Sequence, residues 1–231
     1  MPKAIVTGAN RGIGFEVCRQ LAQKGCEVLL TARDAKSGEA AANALQSENL
    51  SVSFYPLDVR HDGSIYSLIA YVKDKWGTVD ILVNNAGVFL DKGTRARDLV
   101  GLPFDRTFQT NVRGPMLLTQ SVIPIMEKQG YGRIVNISSQ MASIAHMGNG
   151  SAAYRMSKAS LNAFTRIISQ EVDDKAIKIN AIDPGWVQTD MGGDQAPRTP
   201  QKAAEGIVWA TMLPEDGPSG GFFHDKKPLP F

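Results

Sequence analysis

The chain has 231 residues, enough for one large α/β domain or two small ones, and one domain is the expectation. It carries 25 basic and 23 acidic residues, so its formal net charge is only +2, and 43% of its residues are hydrophobic. This balance excludes the strongly basic surface by which proteins bind nucleic acid or an anionic membrane. No apolar run approaches the roughly 18 residues of a membrane span.

The residue types that bind metals or form disulfides show no pattern. Cys18 and Cys26 have neither metal-site spacing nor that of a disulfide framework, and the three histidines are scattered. The sequence therefore predicts no metal site, and it predicts free thiols, which are typical of a reducing compartment. The N-terminal stretch MPKAIVTGAN enters a strand pattern without an apolar signal segment. We expect a soluble, cytoplasmic protein.

Short β-branched runs alternate with helical patterns along the chain. The strand-like runs are KAIVT, EVLLT, VSFYP, VDILV, RIVNIS and IKINAI, with GGFF as a weaker candidate. The helical patterns between them are GFEVCRQLAQKG, AKSGEAAANALQSEN, DGSIYSLIAYVKDKWG, residues 104–128 and SAAYRMSKASLNAFTRIISQEVDD. This alternation predicts a single α/β domain over residues 1–231. Its fold is a Rossmann-type doubly wound parallel sheet of about seven strands, with helices on both faces. DMGGDQAPRTP predicts an irregular, mobile flap near residues 190–200.

The first predicted strand is followed directly by TGANRGIG, residues 7–14. Glycines at this point allow the backbone to turn sharply and approach a pyrophosphate, while the next helix directs its N-terminus at the negative charge. A merely tight turn is the alternative. The candidate cofactor contacts in this turn are Gly8, Asn10, Arg11, Gly12, Ile13 and Gly14.

The end of the second strand, LLTARD, bears on the choice of cofactor. NAD-binding sites carry a carboxylate there that accepts hydrogen bonds from the ribose, but Ala32 occupies the aligned position and Arg33 follows. Arg33 and Arg11 together suit a 2′-phosphate, so NADP(H) is favoured. Alternatively, both arginines are solvated and Asp34 serves the ribose, although Asp34 also suits the N-cap of the next helix.

Five motifs in order resemble a classical short-chain dehydrogenase/reductase, and within that family the chain looks most like NADPH-dependent carbonyl reductases. The motifs are the glycine turn, LDV at residues 57–59, NNAG at 84–87, YRMSK at 154–158 and DPGWVQTDM at 183–191. The resemblance implies further cofactor contacts at the adenine, at the end of the fourth strand and at the nicotinamide. These are, respectively, Asp58 and Val59; Asn85, Ala86 and Gly87; and Pro184, Gly185, Val187 and Thr189. A polar strand end before a glycine turn is the alternative interpretation of NNAG.

Tyr154 and Lys158 lie four residues apart, on one face of the predicted helix. Tyr71 and Lys75 have the same spacing, so the spacing alone is weak evidence. Carbonyl reduction needs a proton donor at the oxygen, and a nearby lysine cation stabilises a phenolate. IVNISS places hydroxyls at a strand end 15 residues before Tyr154, whereas Tyr71 has no such partner and is expected to pack or to lie at the surface.

The resemblance completes the predicted catalytic set of Asn111, Ser139, Tyr154 and Lys158. It makes Ser139 the group that holds the substrate oxygen, with Ser138 as the second candidate. It implies that Asn111 binds a water linking Lys158 to solvent. An alternative or additional role for Asn111 is to repair backbone hydrogen bonding at a helix kink.

The predicted activity is NADPH-dependent reduction of a small-molecule ketone or aldehyde. The alternatives are a 3-oxoacyl carrier-protein reductase and a non-catalytic nucleotide sensor, although a sensor would need no proton-transfer set. No nucleic-acid or membrane partner is expected. A homo-oligomer is possible, because related proteins often pair their long fifth and sixth helices, but Phe164 and Ile168 could equally belong to the core. The candidate pocket walls, for which simple packing is the alternative, are Phe89, Met141, His146, Trp186 and Met191.

Overall fold

The computed structural model describes residues 1–172 and 176–231. Within these residues eight strands form one sheet in the order β3-β2-β1-β4-β5-β6-β7-β8. The sheet confirms the predicted fold class, and the single domain over residues 1–231 stays a prediction. The strands are β1 (Lys3–Val6), β2 (Glu27–Ala32), β3 (Val52–Pro56), β4 (Ile81–Asn84), β5 (Gly132–Ile137), β6 (Ile177–Asp183), β7 (Phe222–His224) and β8 (Lys227–Pro228).

The helices follow the predicted alternation with two differences: a helix over Pro200–Thr211 was not predicted, and one predicted helical segment is divided. The helical segment predicted over residues 104–128 is two helices joined by a π-helical turn at Gln109–Arg113. The helices in the described residues are α1 (Gly12–Gln23), α2 (Ala35–Ser47), α3 (Asp62–Lys75), α4 (Gly101–Phe108), α5 (Gly114–Gln129), α6 (Ala152–Glu171) and α7 (Pro200–Thr211). The last two predicted helical residues of the α6 pattern, 173 and 174, lie outside the described residues.

Apolar side chains pack on both faces of the sheet. Ala4 and Val6 of β1 belong to one buried cluster, whereas Ile5 between them belongs to the other, because successive strand residues point to opposite faces. The first cluster takes side chains from α1, α2 and α7, and the second from α3 and α5. Ile168 packs partly buried against the second cluster, as the core alternative for this residue predicted.

The C-terminal edge of the sheet differs from the prediction. GGFF does contribute β7, which pairs parallel to β6, but β8 then pairs antiparallel to β7. Asp225 and Lys226 between them have φ of 47° and 68°. Two left-handed residues make the tight turn whose twist suits a hairpin, and a two-residue strand is too short for any periodic signal.

The segment near residues 190–200 is irregular, as predicted. A bridge joins Val187 to Arg198, and the Gln188 side chain donates to the Ala196 carbonyl over 2.9 Å. The segment therefore folds back on itself before Thr199 caps α7 through the Lys202 amide. Its mobility stays a prediction.

Thiols, possible metal ligands and helix hydropathy complete the description of residues 1–172 and 176–231. Cys18 and Cys26 are buried free thiols. In the same residues, no three or more His, Cys, Asp or Glu side chains are grouped as metal ligands, and no helix combines the length and hydropathy needed to cross a membrane.

Candidate active site

A cleft of about 1360 Å³ opens at the carboxyl ends of the central strands. β1 lies between β2 and β4 in the sheet, so strand order reverses here, which is where doubly wound sheets bind their ligands. All the predicted site residues except Asn111 line this cleft. The structure thus brings together motifs that are spread over residues 8–189.

The glycine turn has the backbone that its sequence predicts. Gly8 and Gly12 have φ of 61° and 58°, in the left-handed region that favours glycine. Arg11, the N-cap of α1, makes no side-chain capping bond, so the first amides of the helix stay available to an anion. A Cβ on Gly14 would lie 2.5 Å from Asn85 Nδ2 and 2.8 Å from Ala9 Cα.

Asn85 braces this turn from the end of β4. Its Nδ2 donates to the carbonyls of Thr7 and Gly8, each over 2.9 Å. The Thr7 hydroxyl in turn accepts from the amides of Asn85 and Ala86, over 3.0 and 2.9 Å. NNAG is therefore joined to the glycine turn, and the role of Thr7, at the first position of TGANRGIG, was not predicted from the sequence.

Three arginines line the cleft after the first three strands, Arg11 after β1, Arg33 after β2 and Arg60 after β3, and two of them are paired. Arg11 forms an exposed ion pair with Asp190 over 2.9 Å, and Arg60 binds the carboxylate of Asp58. Hydrogen bonds from Arg60 hold the pKa of Asp58 below its usual range. Arg33 forms no ion pair within residues 1–172 and 176–231, so its guanidinium remains available to an anion.

Asp34 is engaged at the start of α2. Its Oδ1 accepts from the Ser37 amide over 2.8 Å, and the Ser37 hydroxyl donates to the Asp34 carbonyl. The N-cap expected for Asp34 is thus present. This engagement weakens the alternative in which Asp34 serves a ribose.

Three of the four predicted catalytic residues, Ser139, Tyr154 and Lys158, line the cleft together. Ser139 lies near enough to the Tyr154 phenol to lower its pKa, and Lys158 Nζ lies 5.8 Å from the centroid of the Tyr154 ring. Lys158 Nζ also donates to the Ile137 carbonyl over 2.7 Å. The Ser138 hydroxyl instead approaches the Lys158 carbonyl at 3.5 Å, so Ser139 is the hydroxyl beside the phenol.

Burial sets the protonation of the pair in opposite directions. Burial raises the pKa of Tyr154 to about 12, the hydrogen bond from Ser139 opposes this rise, and the negative charge of Asp183 adds to it. Burial lowers the pKa of Lys158 to about 8. At pH 7 the site therefore holds a neutral phenol beside an ammonium group.

Asn111 lies in the π-helical turn, fully buried behind the cleft. Its Oδ1 accepts from the Val88 amide over 2.8 Å, and its Nδ2 donates to the Val88 carbonyl and to the Ser157 hydroxyl. Asn111 does lie where the helix departs from regular geometry, but its amide satisfies the backbone of Val88 rather than that of the π-helical turn. Its water-binding role stays a prediction.

The segment after β6 closes the opposite wall. Gly185 has φ of 80°, and Asp183 before it accepts from the Gly185 amide and lies 2.9 Å from His224 Nδ1. Asp183 and His224 were not predicted, because β7 carries no motif that marks its approach to DPG. Thr189 lies with its methyl 3.2 Å from where a Cβ of Gly12 would stand, so this segment also touches the glycine turn.

Four of the five candidate pocket walls line the cleft, namely Phe89, Met141, Trp186 and Met191. His146 is the exception and does not line the cleft, in agreement with the packing alternative for this residue. It lies in the loop after β5, where its Nδ1 is 3.2 Å from the Ser143 hydroxyl. The competing tyrosine, Tyr71, packs its ring 4.7 Å from that of Tyr55, as predicted for a structural residue.

Comparison with known proteins identifies the family to which the chain belongs. Residues 2–199 match the family profile described as short chain dehydrogenase. The chain belongs to the short-chain dehydrogenase family. This confirms the resemblance found in the five motifs, and every short-chain motif used above falls inside the matched residues.

Three relatives of this short-chain dehydrogenase that are named as reductases align with it over nearly their whole length. Carbonyl reductase [NADPH] 1 of Mus musculus is 32% identical, with 100% of this chain and 98% of the relative aligned. (-)-Isopiperitenone reductase of Mentha piperita is 32% identical, with 98% and 97% aligned. A structure of NADPH-bound carbonyl reductase from chicken fatty liver superimposes with a TM-score of 0.89 at 30% identity, covering 100% of this chain and 99% of that one.

The mouse alignment spans 280 positions, more than the 231 residues of this short-chain dehydrogenase. The relative therefore carries insertions where this chain has gaps.

Gly14→Ala should lower the free energy of unfolding by about 1–3 kcal/mol, because the added methyl group meets the backbone of Ala9 and Gly8 at 2.8 Å. Urea unfolding measures the change. Gly63→Ala in α3 is the matched control, since nothing lies within 4 Å of its new Cβ, and it should be neutral or slightly stabilising. Equal stability of the two variants would contradict the close packing at Gly14.

Because the pKa of Lys158 is lowered in the folded protein, the free energy of unfolding should depend on pH. Its pKa falls from 10.5 to about 8, so the unfolded chain binds more protons between these values and stability rises with pH across this window. Lys158→Met should remove up to about 3 kcal/mol of this rise, measured by urea unfolding at pH 7.5 and 10. Lys75→Met, at an exposed lysine, should retain the wild-type rise. The same slope in all three proteins would contradict a buried, destabilised ammonium.

Proposed function

We propose that this short-chain dehydrogenase reduces a ketone or aldehyde to an alcohol and that its cofactor is NADPH. The observation that carries the proposal is that Ser139, Tyr154 and Lys158 line one cleft with the glycine turn, with Lys158 Nζ 5.8 Å from the centroid of the Tyr154 ring. A nucleotide sensor needs the turn but not this proton-donating set. The names of the relatives agree, because carbonyl reductase [NADPH] 1 and NADPH-bound carbonyl reductase both designate this chemistry.

The residues of the cleft fit an NADP-type dinucleotide. Gly8 leaves no space for a Cβ, which would lie 2.8 Å from Ala86 Cα, so the backbone alone forms the surface there. The uncapped start of α1 suits the pyrophosphate, and the unpaired Arg33 suits a 2′-phosphate. Arg11 is a second candidate for that phosphate, although it first has to leave its exposed pair with Asp190.

Bound NADPH supplies the hydride that reaches the carbonyl carbon. Ser139 holds the carbonyl oxygen by a hydrogen bond, and Tyr154 donates its proton as negative charge develops there. Lys158, as a cation, stabilises the phenolate that this step leaves behind. Asn111, fixed by Val88, is proposed to hold the water through which the proton is replaced.

Tyr154→Phe should lower kcat by at least about 100-fold, the contribution of a positioned general acid. Binding of NADPH should change by less than about threefold, because the ring and its packing against Phe89 remain. Tyr71→Phe is the matched control, with the same spacing to a lysine and a packed ring, and it should retain wild-type turnover. Unchanged turnover in Tyr154→Phe would exclude Tyr154 as the proton donor.

A substrate panel should contain aldehydes, ketones and 3-oxoacyl thioesters, each tested with NADPH. Reduction confined to the thioesters would favour a 3-oxoacyl carrier-protein reductase. Tight NADPH binding with no turnover on any of them would favour a nucleotide sensor, and would overturn the proposed activity.

Arg33→Ala should weaken NADPH binding by about 10–100-fold and leave NADH binding unchanged, because a charge-assisted hydrogen bond to the 2′-phosphate contributes about 1.5–3 kcal/mol. Fluorescence titration of both cofactors measures this difference. Arg97→Ala removes the same charge from an exposed site outside the cleft and should alter neither affinity. A wild-type preference for NADH, or equal losses for both cofactors in Arg33→Ala, would contradict the assignment.

A further inference from the structure

The helix that carries Tyr154 and Lys158 begins without a cap of its own. Ser151 precedes α6 with a left-handed backbone, φ 55°, and makes no side-chain capping bond. The missing acceptor comes from a distant segment, because Asp91 Oδ2 accepts from the Ala153 amide over 2.7 Å and its Oδ1 accepts from the Tyr154 amide over 3.3 Å. Both oxygens of this carboxylate are thus bound to the first turn of α6.

Asp91 is 98% buried, since only 2% of its surface is accessible. A buried carboxylate is costly unless it is paired, yet Asp91 forms no ion pair with any residue in the described ranges 1–172 and 176–231. Its partners are the amides at the positive end of a 20-residue helix, which favour negative charge. The helix N-terminus and the carboxylate therefore stabilise one another.

Two further hydrogen bonds join the neighbours of Asp91 to the same turn. The Gly93 amide donates to the Ser151 hydroxyl over 3.1 Å, and the Ser151 amide donates to the Thr94 carbonyl over 2.8 Å. Residues 88–94, which follow β4 and which we call the post-β4 segment, are thereby fixed against the start of α6.

The post-β4 segment also contacts two members of the predicted catalytic set, Asn111 and Tyr154. Its first residue, Val88, binds Asn111 through both backbone groups. Its second residue, Phe89, stacks on the Tyr154 ring with centroids 4.1 Å apart and planes 17° from parallel. Asp91 itself does not line the cleft, so it touches neither substrate nor cofactor.

We propose that Asp91 is a positioning residue: its carboxylate fixes the first turn of α6 so that the Tyr154 phenol stays within hydrogen-bonding reach of Ser139. Tyr154 is the third residue of α6, in the turn where helices lack internal hydrogen bonds and fray. Lys158 lies a turn later and is held separately by Ile137. Loss of Asp91 therefore displaces the proton donor without releasing its lysine partner.

The inference rests on the proposed function, because it assigns a role in the same reaction. Asp91→Ala should lower kcat by about tenfold or more, as a displacement of about 1 Å in a reacting group is enough for that loss. The Kd of NADPH, measured by fluorescence titration, should stay within about twofold, since Asp91 lies outside the cleft. Asp91→Asn keeps one acceptor oxygen and should lose about threefold or more in kcat.

Asp80→Ala is the matched control. Asp80 also accepts from a backbone amide, that of Lys3 over 2.6 Å, but at the opposite end of the sheet. It should lower the melting temperature and leave kcat within about twofold of wild type. Equal kcat losses in the Asp80 and Asp91 variants would show general destabilisation and overturn the positioning role.

Hydrogen exchange gives a measurement that does not depend on activity. The amides of Ala153 and Tyr154 should exchange at least about tenfold faster in Asp91→Asn, while that of Leu161 in the middle of α6 keeps its rate. Wild-type kcat or wild-type exchange in this conservative variant would overturn the proposal, even if Asp91→Ala does not fold. Tyr154→Phe tested in parallel separates the two ideas: if it retains turnover, the proposed function fails, whatever Asp91 does.

Discussion

The close contact between the glycine turn and the end of β4 is the constraint on which the rest of the site depends. Asn85 and Thr7 exchange hydrogen bonds across the point where strand order reverses, and Gly8 and Gly14 are the residues that allow the two backbones to approach. This contact fixes the start of α1 beside the chain that leads from β4 into the post-β4 segment. The helix terminus proposed to bind the pyrophosphate and the phenol proposed to donate the proton thus lie on one connected support, as a hydride transfer between two bound molecules requires.

The electrostatics of the site follow from burial rather than from added charges. The phenol of Tyr154 loses water and retains its proton more strongly, and the ammonium of Lys158 loses water and retains its proton less strongly. The two pKa values stay apart, with the phenol the weaker acid, so the pair does not exchange its proton before a substrate arrives. A proton donor that is not ionised at rest suits a reaction in which the negative charge appears on the substrate oxygen.

Much of this organisation could be predicted from the sequence, because it is written in local patterns. Strand and helix periodicity gave the parallel sheet, and Ser139 at a strand end distinguished Tyr154 from Tyr71. Contacts between remote segments could not be predicted. The pairing of Asp91 with α6 spans 62 residues and that of His224 with Asp183 spans 41, and neither Asp91 nor His224 stands in a recognisable motif. The choice between pocket wall and loop packing for His146 stayed open for the same reason, since loop residues show no periodicity from which direction can be read.

The π-helical turn at Gln109–Arg113 has a geometric consequence. It is one residue wider than a regular turn, so α4 and α5 run out of phase with each other by about 100°. Deleting one residue here would allow a continuous helix, but it would rotate Asn111 away from Val88 and misalign every side chain of α4 with the surfaces that it covers. A single additional residue thus sets the angular register between the two helices.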